Sequence, residues 1–160
     1  MAKFKAAAVF SSNMVLQRDK NVRVFGTGKD GESIIVSICG NTAVTQVADE
    51  KWCVTLPAMK AGGPYEMKIS NGDETIVLGN VMIGEVWLAG GQSNMELELQ
   101  NCTGGKEHLA NDKTENVRYY YTQKNCNMDE KFFRDEENTG WSCFDCESAR
   151  AWSAVAYFYA

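Results

Sequence analysis

The sequence lacks a long apolar run. No stretch reaches the roughly 18 residues that a membrane-spanning helix needs, and the start, Met1–Phe10, lacks the apolar core of a secretory signal. We therefore expect a cytoplasmic protein with no membrane partner. A secreted parent protein whose signal has been removed stays open as an alternative.

An excess of positive charge is also missing. Lys and Arg number 16 against 21 Asp and Glu, so the net charge is −5. This balance excludes the basic footprint with which proteins bind phosphate backbones, and we expect no nucleic-acid partner. Hydrophobic residues make up 44% and charged residues 23% of the 160 residues, which is typical of a folded protein with a real core.

Cysteines are few and irregularly spaced. The six lie at positions 39, 53, 102, 126, 143 and 146, a pattern that does not form a small disulfide scaffold. Cys143 and Cys146 have the spacing of a zinc knuckle or redox pair, but a zinc site needs four ligands and a second such pair is missing. We expect no metal and no other cofactor.

The first half of the chain shows strand periodicity. Between Val22 and Leu78 apolar and polar residues alternate between short turn signals, as in Lys51–Leu56 and Tyr65–Ser70. Gly40-Asn41 and Asn71-Gly72 are predicted to form two-residue hairpin turns. The pattern predicts a β-sandwich, jelly-roll-like module over residues 1–80.

The pattern changes near Gly79-Asn80. Val81–Gly90 is almost continuously apolar, which is typical of a strand inside a parallel sheet. Further on we predict a helix or turn over 104–113, a strand over 117–122 and a helix over 148–160 in which Trp152, Val155, Ala156 and Tyr159 share one face. Two strands do not make an α/β domain. Residues 81–160 are therefore predicted to be the opening portion of such a domain, with its remainder elsewhere.

One serine follows the apolar run directly. Gly90 and Gly91 allow a sharp turn after Ala89, and Ser93 stands between Gln92 and Asn94. Ligands of parallel sheets gather at the carboxyl ends of the strands. We therefore predict that Ser93 is a nucleophile and that Gly91, Gln92 and Asn94 contact the substrate. Tight backbone packing by small residues is the alternative explanation of this segment.

Several separated motifs resemble one family. The block Gly84–Leu88 followed by Gly91–Glu96 resembles the first conserved block of the sialate O-acetylesterase and acetylxylan-esterase-like branch of the SGNH hydrolases. The upstream stretches that resemble the amino-terminal β region of that family, in the same order, are Asn13–Arg18, Val24–Gly28, Lys51–Pro57 and Lys60–Tyr65. The resemblance covers nearly the whole chain but only the first part of a family member.

The resemblance implies a fold and an activity. It implies a β-sandwich module followed by the start of a flavodoxin-like three-layer domain, and a serine esterase that removes O-acetyl groups from sugars. It also implies that the backbone N–H of Ser93 is an oxyanion donor, and that the base is a histidine in an Asp-x-x-His block. That block is missing here, so the isolated chain is expected to be nearly inactive.

The remaining residues leave alternatives open. His108 is the single histidine, and no family motif surrounds it, so we expect an exposed surface residue rather than the base. The expected partners are an acetylated sugar and either the carboxyl-terminal half of the same domain or a second copy of the chain. A non-catalytic β-sandwich module that binds a glycan or a protein is the alternative function.

Overall fold

The computed structural model describes residues 3–111, 116–122, 136–145 and 147–160. The chain divides into two compact units. The first unit comprises Met1–Glu85 and Tyr120–Trp141, and the second comprises Val86–Tyr119 and Ser142–Ala160. Among the described residues, no helix combines the length and the apolar character that crossing a bilayer requires.

Eight strands build the first unit. They are β1 (Lys5–Ala6), β2 (Val15–Gln17), β3 (Val22–Thr27), β4 (Ser33–Ile38), β5 (Asn41–Gln46), β6 (Lys51–Leu56), β7 (Gly62–Ser70) and β8 (Thr75–Gly84). One sheet has the order β1-β3-β6 and is antiparallel; the other has the order β2-β8-β7-β4-β5. In the second sheet only the β2–β8 pair is parallel, so the sheet is mixed.

Alternation along the strands explains the core of the first unit. In β6, Trp52, Val54 and Leu56 are buried while the residues between them are exposed, as the sequence predicted. Strands from both sheets contribute to one buried cluster. Trp52 lies opposite Gly26 in the β3–β6 ladder, and its indole N–H donates to the Thr27 carbonyl at 3.0 Å. A side chain at position 26 would collide with this ring and with the Lys5 carbonyl.

The two predicted hairpin turns both differ from the structure. Ile38 pairs with Asn41, so the first turn consists of Cys39 and Gly40, which have φ values of 53° and 75°. Two positive φ angles in succession are what a two-residue turn that matches the strand twist requires. The second turn was predicted to have two residues, which is wrong. Ser70 pairs with Thr75, and a four-residue loop connects them.

The predicted strand Val81–Gly90 is also wrong as a single buried element. Strand β8 ends at Gly84 and belongs to the first unit, with Val81 and Ile83 buried. Residues 85–90 are exposed and lie in no strand, and the Leu88 side chain is 99% exposed. Within the described residues, no strand pairs with residues 85–90, so this segment is not part of a parallel sheet.

Short helices and one aromatic cluster build the second unit. Its elements are a 3₁₀ turn Leu99–Asn101, helix α1 (Gly105–Asn111), strand β9 (Arg118–Tyr120), strand β10 (Trp141–Cys143), a 3₁₀ turn Ser148–Ala151 and helix α2 (Ala154–Tyr159). Both β9 and β10 include a residue of the first unit, and they pair as a two-stranded sheet. The helix predicted over 148–160 is interrupted, because Trp152 is extended and Ser153 caps α2.

The predicted apolar face of this last helix is not the buried one. Ala154 and Tyr157 are the buried residues of α2, and they join the cluster that contains Leu99 and Trp152. Val155 and Tyr159, predicted to face the core, are exposed. The interruption at Ser153 changes the helical register, which is why the predicted periodicity selects the wrong side.

Candidate active site

Ser93 lies in a tight turn that backbone hydrogen bonds stabilise. The Met95 N–H donates to the Gln92 carbonyl at 2.7 Å, and the Glu96 N–H donates to the Ser93 carbonyl at 3.2 Å. Gln92, Ser93 and Asn94 are all exposed. The turn therefore brings three of the four predicted site residues together on the surface of the second unit.

The polar groups at the tip of this turn are available to a ligand. In the part of the chain that the structure describes, neither the hydroxyl nor the backbone N–H of Ser93 makes a hydrogen bond, and the same holds for the N–H of Asn94. Consecutive N–H groups at the start of a turn have no carbonyl of their own to bind. Such groups can stabilise an anionic oxygen. A hydroxyl and two N–H donors are thus displayed within two residues.

Gly91 allows Met95 to fold back over the start of the turn. A Cβ at position 91 would lie 2.9 Å from the Cγ of Met95, which is closer than carbon atoms normally approach. Met95 in turn lies against Ser153, whose hydroxyl is 3.9 Å from the Met95 sulfur. The absence of a side chain at Gly91 therefore leaves the space that Met95 occupies. The predicted contact between Gly91 and a substrate stays a prediction.

The end of the turn is anchored to the core of the second unit. The Leu99 N–H donates to the Trp152 carbonyl and the Ala154 N–H donates to the Leu97 carbonyl, both at 2.8 Å. Leu99 is fully buried. The two bonds lie on either side of Ser153, which pairs with Glu98 in an isolated antiparallel bridge. This bridge connects the end of the Ser93 turn to the start of helix α2.

His108 is exposed, as expected, and lies on helix α1. Its ring packs edge-on against Phe158 with the centroids 4.9 Å apart, and against Tyr157 at 6.4 Å. These contacts are aromatic packing within the second unit. Nothing in them gives His108 the role of a base.

A carboxylate clamp in the first unit was not predicted. Gln17 donates to one oxygen of Glu85 at 2.9 Å, and Arg18 donates to the other at 2.7 Å. The hydrogen bond from Gln17, together with Arg18, lowers the pKa of Glu85. Gln17 and Arg18 belong to a stretch that the sequence analysis singled out, but their partner follows only from the parallel register of β2 and β8.

Two further predictions concern cysteines and metals. Cys143 is a partly buried residue of β10, whereas Cys126 and Cys146 lie outside the described residues, so the Cys143–Cys146 spacing stays untested. Within the described ranges, no group of three or more His, Cys, Asp or Glu side chains is arranged to hold a metal ion.

Comparison with known proteins identifies relatives of this chain. No protein-family model matches it. Sialate O-acetylesterases are similar over 119 residues in Rattus norvegicus (32% identical) and Mus musculus (30%), and over 120 residues in Homo sapiens (28%). These matches cover 67–68% of this chain but only 22–23% of each relative.

A solved structure extends the similarity. A carbohydrate acetylesterase from Xanthomonas citri superposes with a TM-score of 0.82 and 29% identity, covering 98% of this chain and 36% of that chain. These matches confirm the resemblance to the sialate O-acetylesterase branch that the motifs indicated. The chain spans less than a quarter of the length of the curated relatives named here.

Proposed function

We propose that this chain, a relative of the sialate O-acetylesterases over part of their length, carries the nucleophile of a serine esterase that removes O-acetyl groups from sugars. The first unit is a jelly-roll-like β-sandwich, and the second unit opens the α/β domain of an SGNH hydrolase. Ser93 is the nucleophile. Neither a metal nor another cofactor takes part.

The display of Ser93 carries this proposal. Acyl transfer requires an accessible hydroxyl as the attacking group and hydrogen-bond donors for the developing oxyanion. Ser93 offers an exposed hydroxyl, and the N–H groups of Ser93 and Asn94 lie beside it. The turn is fixed by its own backbone bonds and by the bridge to residues 152–154. The kinship with carbohydrate acetylesterases supplies the substrate class, an O-acetylated sugar.

The reaction proceeds in two balanced steps. The Ser93 oxygen bonds to the acetyl carbonyl carbon, its proton passes to a base, and the bond from that carbon to the sugar oxygen breaks as the base returns the proton to the sugar. Water then bonds to the carbonyl carbon of the acetyl-serine and gives a proton to the base. The bond from that carbon to the Ser93 oxygen breaks as the base returns the proton to this oxygen, which restores the hydroxyl and releases acetic acid. The N–H of Ser93 stabilises the oxyanion in both steps, and Gln92 and Asn94 orient the sugar.

The base comes from polypeptide that this sequence does not include. The resemblance implies a histidine in an Asp-x-x-His block, and the sequence contains no such block. His108 is occupied in aromatic packing. Since loss of the base removes most of the rate acceleration of a catalytic triad, the isolated chain has little esterase activity.

A chimera tests the proposal. In it, this chain replaces the matched region of the Xanthomonas citri acetylesterase, and hydrolysis of an aryl acetate is measured beside the isolated chain and the parent enzyme. We expect turnover by the chimera and almost none by the isolated chain. Ser93→Ala should lower kcat of the chimera by about 10³-fold or more, while the matched control Ser33→Ala, an exposed serine of the first unit, leaves it unchanged.

Two results would overturn this function. One is a folded chimera with no turnover while the parent enzyme is active. The other is brisk turnover that survives Ser93→Ala. Binding of a glycan without turnover, unaffected by Ser93→Ala, would assign the chain to the alternative function of a non-catalytic binding module.

A further inference from the structure

We infer that Met95 is a positioning residue that fixes the display of Ser93, and that oxidation of its sulfur by a peroxide releases the Ser93 turn. This inference rests on the proposed function only where activity is measured, because the conformation of the turn can be followed without it. Gln92, Ser93 and Asn94 form the exposed tip of the turn. Met95 follows the tip directly, and its side chain folds back to the residue in front of the tip.

Met95 contacts the chain on both sides of the tip. In front of the tip, its Cγ lies 2.9 Å from the position that a Cβ on Gly91 would take, so the side chain packs on the Gly91 backbone. Behind the tip, its N–H donates to the Gln92 carbonyl at 2.7 Å. A single residue therefore fixes the chain before and after Ser93.

The chain in front of the tip has little else to fix it. In the part of the chain that the structure describes, the backbone of residues 87–91 makes no hydrogen bond. Residues 85–90 also lie in no strand. Because regular backbone bonds are missing there, the approach to Ser93 depends on side-chain packing. The contact between Met95 and Gly91 provides this packing next to the tip.

Ser153 anchors the far end of the Met95 side chain. Its hydroxyl lies 3.9 Å from the Met95 sulfur, which is a weak hydrogen-bond acceptor. The same hydroxyl oxygen accepts from the Ala156 N–H at 3.3 Å, so its hydrogen is left for the sulfur. Ser153 is 5% exposed and pairs with Glu98. The Met95 sulfur is thus connected to the fixed start of helix α2.

The contribution of Met95 is local to the turn. Its side chain is half-buried, and it is not among the described residues that pack in the cluster around Leu99 and Trp152. Loss of the side chain should therefore leave the core of the second unit intact and loosen the approach to Ser93. Since displacement of a reacting group by about 1 Å can cost about 100-fold in rate, a loosened nucleophile lowers kcat.

Oxidation turns this apolar contact into a polar one. A peroxide transfers one oxygen atom to the Met95 sulfur: the O–O bond breaks, an S–O bond forms, the sulfur is oxidised, and the peroxide is reduced to water or an alcohol. The sulfoxide is larger and polar, and it has to fit between the Gly91 backbone and the Ser153 hydroxyl. The side chain therefore leaves its place and the turn is released. Methionine sulfoxide reductases reverse the oxidation.

Hydrogen exchange followed by mass spectrometry tests the positioning role on the chain itself, without any assay of activity. In Met95→Ala, and in the original chain after treatment with hydrogen peroxide, a peptide covering residues 92–98 should exchange about twofold faster or more. Met95→Leu keeps the apolar bulk and should exchange close to the original rate before and after peroxide. A peptide covering helix α1 should not change in any of these samples.

The chimera with the Xanthomonas citri acetylesterase tests whether this positioning serves catalysis. Met95→Ala should lower kcat about 10-fold or more with little change in KM, whereas Met95→Leu should retain most of kcat. Hydrogen peroxide should inactivate the original chimera but not Met95→Leu. Methionine sulfoxide reductase with a thiol should restore activity, whereas the thiol alone should not.

Met82→Leu is the matched control for oxidation. Met82 of β8 is the other partly exposed methionine among the described residues, while Met14, Met59 and Met67 are buried. A chimera that carries Met82→Leu should keep its activity and should remain sensitive to peroxide.

The role of Met95 would be refuted by any of three results. The first is unchanged exchange of residues 92–98 both in Met95→Ala and after peroxide. The second is exchange of helix α1 that rises as much as that of the turn, because Met95 would then support the whole unit. The third is an active chimera in which Met95→Ala keeps kcat or Met95→Leu is inactivated as fast as the original. An inactive chimera would count against the proposed esterase function, while the exchange results would still decide the role of Met95.

Discussion

Ser153 offers a quantitative test of how the Ser93 turn is held. Its side chain is 5% exposed, and its hydroxyl accepts from the Ala156 N–H at 3.3 Å, which caps helix α2. The same residue lies between the two backbone bonds that anchor Leu97 and Leu99. Substitution to alanine removes the cap acceptor and leaves the Ala156 N–H without its partner.

The expected cost is about 1 kcal/mol, within the usual range of roughly 0.5 to 2 kcal/mol for removal of such a cap. This corresponds to about a fivefold increase in the equilibrium for local opening. Ser153→Thr keeps the acceptor and should retain most of the stability, since threonine also caps helices.

Hydrogen exchange followed by mass spectrometry is the suitable assay, because the two units need not unfold together. In Ser153→Ala, peptides covering residues 93–99 and 153–159 should exchange faster by this factor. Peptides from strands β3 and β6 should not change. Exchange at the original rate in both peptides of the second unit would refute the capping role and the anchoring of the Ser93 turn.

Two predictions concern the first unit. Gly26→Ala should lower the free energy of unfolding by about 1–3 kcal/mol in thermal unfolding, because the new Cβ would lie 2.0 Å from the Lys5 carbonyl oxygen, whereas Gly79→Ala, with open space around it, should be tolerated. In urea unfolding, Glu85→Gln should be less stable than the original chain near pH 7. Because the Glu85 pKa is lowered from 4.5 on folding, this difference should shrink as the pH falls below about 4.5.

Each of these can fail in a specific way. Equal stability of the Gly26 and Gly79 variants would contradict the close approach of β1, β3 and Trp52. A difference between the original chain and Glu85→Gln that grows on acidification would contradict the clamp by Gln17 and Arg18.

The strands of the first unit could be predicted because each carries its own burial pattern. The alternation in β6 decides which side chains enter the core, whatever its neighbours are. The turns were harder. Whether Cys39-Gly40 or Gly40-Asn41 forms the turn depends on the pairing of β4 with β5, which the alternation alone does not fix.

The candidate site shows what sequence could and could not supply. The exposed turn of Gln92, Ser93 and Asn94 follows from local residue types and was predicted. The clamp on Glu85 was not, since it depends on the parallel register of two strands far apart in sequence. The prediction of a strand that reaches Gly90 was wrong. Its apolar pattern is typical of a strand with neighbouring strands on both sides, and no strand among the described residues pairs with residues 85–90.

The most direct test of the Ser93 assignment is covalent labelling of the active chimera with a fluorophosphonate, which phosphonylates activated serines. After digestion, mass spectrometry should find the label on Ser93, and Ser93→Ala should lose both the label and the turnover of the aryl acetate. A chimera that hydrolyses the ester while the label falls on another serine would contradict the role of Ser93 as the nucleophile.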